Sequence, residues 1–375
     1  MKIQTDKHEL HRATSRLQGT LVERSLANIA LKAQLDHLVM SSADLVLSAF
    51  CSLPCEVMEP GEASVPAKIF SEVVRELPDG IVHIEKSGSY LKISAGPSEQ
   101  FLMKIPLIDN VQWVEKPKIK IREEGNLPSL EFAYMMDQVQ FCVSQDSPRN
   151  FGTVAYLHQS EAKTWRLVGS DGFRLSYCQK SQDGLSASFL DEGICITKRT
   201  LGELGKMCKE GFDSLHLAVA EDRSTLVAEI PNFQIFVRLS SVKYPSYQSV
   251  ITNKSKFETK IERKLLLEGV RRTMLAADKS RSICLNFREH ELEIVSKTLG
   301  SSEGREILAL DSFSGEIALS INGKYLQDVV SNSTSESLLL KFSGEDAPMV
   351  ILPIGEPYGC QSLHLFLPIK ESSRP

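Results

Sequence analysis

The sequence predicts an α+β protein made of three tandem copies of one domain, each with two short helices on antiparallel sheets. Three observations carry this. In Ile194 to Leu239 an alternating apolar strand leads into a helix with Leu201, Leu204 and Met207 at helical spacing, then into three more period-two runs. The same order of strand, helix and three strands recurs upstream in VPAKIFSEVVRELPDGIVHIEKSGSYLKIS with EQFLMKIP. It recurs downstream in INGKYLQDVVSNSTSESLLLKFSGEDAPMVILPI with SLHLFLPIK. Aligning Val65, Ile196 and Ile321 spaces the copies by 131 and 125 residues, the length of a whole domain and far beyond a solenoid repeat.

Composition agrees. At 375 residues the chain has the length of two or three domains, and 42% hydrophobic with 24% charged residues supplies an ordinary globular core. No run of 18 apolar residues occurs, and the opening MKIQTDKHEL puts charges where a signal peptide carries its apolar stretch, so a soluble, cytoplasmic protein without a membrane partner is expected. The eight cysteines are scattered, with Cys51 and Cys55 the one close pair. Lacking a second pair or a His cluster at zinc spacing, they read as buried or free thiols, and no metal is expected. A net charge of −5 argues against gripping nucleic acid with the whole surface, but it leaves room for a basic stripe on one face.

Taken in order, the first copy opens with a helix over Lys7 to about Glu23, where Leu10, Ala13, Leu17 and Leu21 recur at helical spacing and Lys7, His11, Arg12 and Arg16 occupy the other face. SLANIALKAQ and SSADLVLSAF then read as strands, and Gly61 and Pro66 bracket the entry to the Val65 unit. Residues 114 to 128, VEKPKIKIREEGNLP, turn to charge, Pro and Gly and mark a boundary. A second opening helix spans about Ser129 to Ser144 with Phe132, Met136, Val139 and Cys142 on one side; its other side is not basic. ITNKSKFE marks the next boundary. Beyond it Ile261 to Lys279 forms the third opening helix, with Ile261, Leu265, Val270 and Met274 apolar and Arg263, Lys264, Arg271 and Arg272 sharing the opposite face. Such a face reads as solvated surface or, since it recurs in the first copy, as part of a common basic surface. The copies therefore cover 1–125, 126–252 and 253–370, with a frayed tail at 371–375.

Catalytic chemistry is not evident. Gly202, Gly205 and Lys206, followed by Met207, are too closely spaced for a phosphate-cradling loop. None of the eight histidines stands in HExxH or beside a plausible nucleophile. The carboxylate pairs Glu123 with Glu124 and Glu221 with Asp222 fall in predicted turns and read as solvent-facing. The chain reads as a scaffold or binding ring rather than an enzyme, with no catalytic residue and no cofactor.

Four stretches together turn this into a specific proposal: Ser170-Asp171-Gly172-Phe173-Arg174-Leu175, RNFGTV from Arg149, KYPSYQSVI from Lys243, and the ending LHLFLPIK. In order and spacing they resemble the sliding clamps of the bacterial replicative DNA polymerase, over nearly the whole chain. The resemblance implies a head-to-tail homodimer whose six domains close a ring around duplex DNA without reading its sequence, helices inward and sheets outward. Basic helix faces would hold a polyanion without base contacts, so the ring slides. By position, Arg24 belongs to one loop near the hole, Gln145, Arg149 and Phe151 to a second, and Lys198 and Arg199 to the start of an inner helix; each is equally readable as plain surface.

The resemblance further implies a groove between the second and third copies that takes Gln-Leu-x-Leu-Phe peptides from the catalytic subunit of DNA polymerase III, the clamp loader, other polymerases, ligase and mismatch-repair proteins. The matching positions are Gly152, Ser170, Gly172, Phe173, Arg174, Leu175, Pro245, Ser249, Val250, Pro348 and the terminal Leu365, Phe366, Leu367, Pro368 and Ile369. Apolar walls with a few polar groups suit a Leu-Phe anchor, although an alternating terminal strand must also turn one face to its own core. Departures stand at Phe173, commonly His, at Gly152, commonly Leu, and at Ser249, commonly basic. These imply a groove more open near Gly152 and less polar near Ser249. The loop after Arg24 is shorter than usual, and FCSLPCE replaces a common Asp-Leu-Glu. Ring closure would pair an edge strand carrying Phe101 and Met103 with the third copy, helped by Met274 and Leu275. The alternatives are a diverged clamp with an altered partner set, a DNA-processing enzyme on duplicated domains, and a protein-interaction scaffold that binds no DNA.

Overall fold

The computed structural model describes residues 1–21, 27–108, 115–161, 163–183, 187–251, 255–298, 302–311 and 313–369. Arg24, part of the ITNKSKFE boundary and the expected tail at 371–375 lie outside the described residues.

The repeating element is half the length of the sequence repeat. A strand, a helix and three strands occur six times, twice per copy. The first half-unit is β1 (Lys2–Asp6), α1 (Lys7–Arg16), β2 (Asn28–Gln34), β3 (His37–Ala43) and β4 (Leu47–Pro54), followed by an extra short strand, β5 (Glu56–Glu59). The second is β6 (Gly61–Pro66), α2 (Ala67–Glu76), β7 (Ile81–Ser87), β8 (Tyr90–Ala95) and β9 (Phe101–Pro106). The third is β10 (Ile121–Pro128), α3 (Ser129–Val139), β11 (Val154–Glu161), β12 (Thr164–Ser170) and β13 (Arg174–Ser181). The fourth is β14 (Ile194–Thr197), α4 (Lys198–Cys208), β15 (Ser214–Ala220), β16 (Thr225–Ile230) and β17 (Phe233–Arg238). The fifth is β18 (Phe257–Glu262), α5 (Arg263–Thr273), β19 (Ser282–Arg288), β20 (Glu291–Lys297) and β21 (Glu303–Ala309). The sixth is β22 (Ile317–Asn322), α6 (Gly323–Asn332), β23 (Ser337–Phe342), β24 (Met349–Ile354) and β25 (Gln361–Phe366). Val65, Ile196 and Ile321 each sit buried two residues before their helix, the register the sequence alignment chose.

Helix starts follow from local capping. Asp6 accepts from the backbone N–H of His8 and Glu9, Thr197 from Thr200, and Asn322 from Lys324, each satisfying a donor that the first turn leaves open. Two opening helices are shorter than the sequence suggests. α1 stops at Arg16 and tightens into a 3-10 turn, Leu17–Thr20; α3 stops at Val139 before a similar turn. The expected phase of α5 is also displaced. Ile261 belongs to β18, opposite Leu338, so the helix begins at Arg263 and buries Leu266, Leu267 and Val270, while Leu265 is exposed. Arg263 leaves the basic face as well, donating to the carbonyls of Val330 and Ser335 at the end of α6.

The chain forms two compact units, Met1–Asn126 with Ser214–Leu239, and Leu127–Asp213 with the chain from Ser240 onward. The first unit holds a five-stranded sheet, β5-β1-β7-β8-β9, and an eight-stranded sheet, β10-β15-β16-β17-β4-β3-β2-β6. Part of the stretch read as a linker is thus the edge strand β10. Glu123, expected to face solvent, is buried there and accepts from Arg223 Nη1 through both carboxylate oxygens, at 2.9 and 2.6 Å, because an inward carboxylate needs a counter-charge. The second unit holds the eight-stranded sheet β14-β11-β12-β13-β25-β24-β23-β18 and the four-stranded sheet β21-β20-β19-β22. One of its cores joins Leu266 and Val270 of α5 and Leu326 of α6 to Leu285, Ile294, Leu340 and Phe366 of the sheets.

Candidate functional site

Where β13 pairs with β25, the last strand lies against the middle of the chain, with Leu175 opposite Leu365. Period-two alternation sends Leu175, Tyr177, Leu363 and Leu365 to one face, where they join Val168, Tyr247 and Val350 in an apolar cluster. Leu175 and Leu365 are buried in its floor, while Phe173, Val250 and Leu367 stand 57%, 46% and 43% exposed around it. Pro245 and Ser249 are exposed and Pro348, Pro368 and Ile369 half-buried. Phe366, expected in the lining, points to the other face and into the core around α5 and α6.

The turn between β12 and β13 sets the rim. Ser170 Oγ accepts from Gly172 N–H and donates to Arg174 O, and Asp171 Oδ1 accepts from the N–H of Phe173 and Arg174. Gly172 adopts φ +88°, a left-handed conformation that glycine takes without steric cost. The result turns Phe173 outward and Arg174 inward. Arg174 is 9% exposed, and its guanidinium donates to Asp171 (2.9 Å), to Asp328 (2.8 Å) and to the Phe141 carbonyl, and stacks 4.1 Å over the Tyr325 ring. It is therefore an internal brace rather than a lining group. Beside it, burial and then the Arg174 charge push the Lys198 ammonium pKa down.

Arg149 donates to the Gly172 carbonyl at 2.9 Å and lies 5.4 Å over the Phe173 ring, so it backs the rim. Gly152 is buried, and a Cβ there would come within 2.5 Å of Ser147 Oγ, so the place expected to be open is closed by Ser147. Gln145 is exposed, Arg199 is half-buried in the first turn of α4, and the Phe151 ring meets Tyr244 edge-on at 6.2 Å. The opposite rim depends on residues the sequence reading passed over. Tyr247 shares a hydrogen bond with His158 Nε2 (2.9 Å) and accepts from Arg166 Nη1 (3.0 Å). His158 stacks on Tyr156 at 4.5 Å, and Tyr156 on Tyr244 at 5.4 Å; burial lowers the His158 pKa. The YPSY of KYPSYQSVI, with aromatics three apart, was the available signal.

Two strand edges complete the picture. β9 ends one sheet of the first unit, with Leu102 50% and Met103 39% exposed and Phe101 half-buried. β21 ends one sheet of the second unit and exposes Ile307, while Leu275 just after α5 is 87% exposed. Met274 instead packs against the core of the second unit. Leu102 and Ile307 went unnoticed because each sits in a short apolar run, FLM and ILAL, in which the sequence does not mark the member left exposed at a sheet edge.

Family models described as the N-terminal, central and C-terminal domains of the DNA polymerase III beta subunit match residues 1–109, 126–246 and 248–368. The chain belongs to this family, the beta sliding clamps. It is 25% identical over 359 residues to the beta sliding clamp of Chlamydia pneumoniae, covering 94% of this chain and 95% of that one. It is 24% identical over 383 residues to that of Vibrio cholerae, covering 99% and 100%. The crystal structure of the DNA polymerase III subunit beta from Pseudomonas aeruginosa superposes with a TM-score of 0.86 at 20% identity, over 99% of this chain and 100% of that one. The chain thus has three tandem clamp domains of mixed helix and antiparallel sheet. Among the described residues no helix is long and apolar enough to cross a membrane.

Proposed function

We propose that the chain closes, as a head-to-tail homodimer, a six-domain ring around duplex DNA and tethers DNA polymerases to it, without catalysis of its own and in the cytoplasm. The domains run 1–125, 126–252 and 253–370. The observation that carries this reading is a segregation of charge. Among the described residues the six α-helices hold thirteen Lys and Arg against eight Asp and Glu, whereas the whole chain has 43 against 48, so the rest of the chain carries a net acidic excess. Helices facing a central hole would meet phosphates with net positive charge, and the acidic remainder would discourage DNA from lying on the outside. Retention then depends on topology, not on tight binding.

The cluster under Phe173, Val250 and Leu367 is the proposed seat for the Leu-Phe end of a linear motif, shared by the polymerase III catalytic subunit, the clamp loader, other polymerases, ligase and mismatch-repair proteins. The edges β9 and β21, with Leu102, Met103, Ile307 and Leu275, are the proposed closing contacts between copies. Light scattering at micromolar concentration should give twice the 41.7 kDa chain mass, and Leu275→Asp should reduce it to one. Chain assembled on a nicked circle should dissociate when the circle is cut. A monomer, or equal retention on circular and linear DNA, overturns the ring.

A further inference from the structure

The eight-stranded sheet of the first unit buries Leu31, Leu38 and Leu53 on one face. On the other face the register sets Lys32 beside Val39, Val39 beside Ser52, Phe50 beside Gln234 and Gln234 beside Glu229, across β2, β3, β4, β17 and β16. These side chains line a cavity of about 570 Å³, within the size range of binding sites. Val39 and Phe50 are its apolar floor, with Phe50 held by an edge-on contact to Phe236 at 5.7 Å. Three cations, Lys32, His37 and Lys116, stand around that floor. Among the described residues Glu229 is the one carboxylate in the lining, and Gln234 Nε2 already donates to it at 2.5 Å. A chain of net charge −5 thus carries a basic concavity here. From β2 to β17 is three strand spacings, about 14 Å, the length of about four extended residues.

We propose that this cavity docks a short acidic peptide segment of a partner protein, with one large apolar side chain seated on Val39 and Phe50. The peptide's carboxylates meet Lys32 and Lys116, and the carboxamides of Gln34, Asn232 and Gln234 supply both donors and acceptors for its backbone. Lys32 holds Glu62 at 2.5 Å, but both side chains reach solvent, and a surface ion pair of that kind contributes little and exchanges readily for a ligand carboxylate. Leu35, at the hairpin tip between Gln34 and His37, is 85% exposed and adds apolar surface next to two lining residues. Charge separates a peptide from nucleic acid. Asp36 lies 3.1 Å from His37 Nδ1, and with Glu62 and Glu229 it interrupts the basic surface. The continuous phosphates of a duplex would meet these carboxylates as well as the lysines, whereas a short peptide places its charges at the cations alone.

The test titrates the full chain into a fluorescein-labelled Asp-Glu-Phe-Glu-Asp peptide, which lacks the Gln-Leu-x-Leu-Phe pattern, and follows anisotropy. Binding should saturate at one peptide per chain and weaken as salt is raised. Affinity should fall about tenfold when the Phe of the probe is replaced by Ala, and about tenfold when Lys32→Glu and Lys116→Glu are combined. A probe carrying benzoylphenylalanine in place of Phe should cross-link to β3 or β4 when mapped by mass spectrometry. Absence of saturable binding, wild-type affinity in the double variant, cross-links around Phe173 instead, or displacement of the probe by a short DNA duplex would each overturn the proposal. Should the double variant fold poorly, the cross-link map of the wild-type chain still decides.

Discussion

Replacing Arg174 by Ala probes the second unit at its most loaded residue. The side chain is almost wholly buried and joins three segments at once, through Asp171, the Phe141 carbonyl and Asp328, with Tyr325 beneath. Truncation leaves two carboxylates with 11% and 17% side-chain exposure short of a counter-charge, with Lys324 still beside Asp328 at 2.7 Å. Breaking a buried pair in this way costs roughly 3–5 kcal/mol. For a unit of this size that corresponds to a melting point lower by about 6–20 °C. Urea unfolding of wild type, Arg174→Ala, Asp328→Ala and the double variant gives the coupling directly. The double variant should lose clearly less than the two single losses combined. A loss under about 1 kcal/mol, or strict additivity, would refute the role of internal brace.

Two further outcomes follow from the same region. Gly172→Ala forces φ +88° on a residue with a Cβ and sets that carbon 2.7 Å from Arg149 Cζ; it should cost about 1–2 kcal/mol, and Arg149→Ala should cost nothing more in that background, both read by urea unfolding. His364 is fully buried, and its pKa falls to about 3 from desolvation, with Nδ1 against Ser176 Oγ at 2.9 Å. Between that value and an unfolded pKa near 6.5 the unfolded chain binds the extra proton. Stability is therefore full above about pH 6.5 and falls on acidification by up to about 1.4 kcal/mol per pH unit. His364→Gln should flatten that slope in unfolding titrations from pH 7 to 4, and an unchanged slope contradicts neutral burial.

The sequence shows the second half of each copy clearly and the first half poorly, and the inward residues explain why. β6, β14 and β22 turn Val65, Ile196 and Ile321 to the core, whereas β10 turns in Glu123 and Gly125, and β18 turns in Thr259 beside Ile261. Those strands lack apolar alternation, and the partner that neutralises Glu123 is Arg223, a hundred residues away. The site divides similarly. Phe173, Leu367 and Val250 are recognisable as apolar residues beside turns. Arg174 looks like a surface cation until Asp328, 154 residues on, meets it, and the Tyr247 support needs His158 and Arg166 from other strands.

The seams have a consequence for biosynthesis. In the first unit Cys51 of β4 pairs with Phe233 of β17, and in the second Leu175 of β13 pairs with Leu365 of β25. Each earlier strand leaves the ribosome about 180 residues ahead of its neighbour, which at roughly 5–20 residues per second is a wait of about ten to forty seconds. During that interval the nascent chain presents an open backbone ladder beside apolar side chains. Trigger points for misassembly on the ribosome should therefore lie at β4 and β13, rather than at the termini of the finished chain.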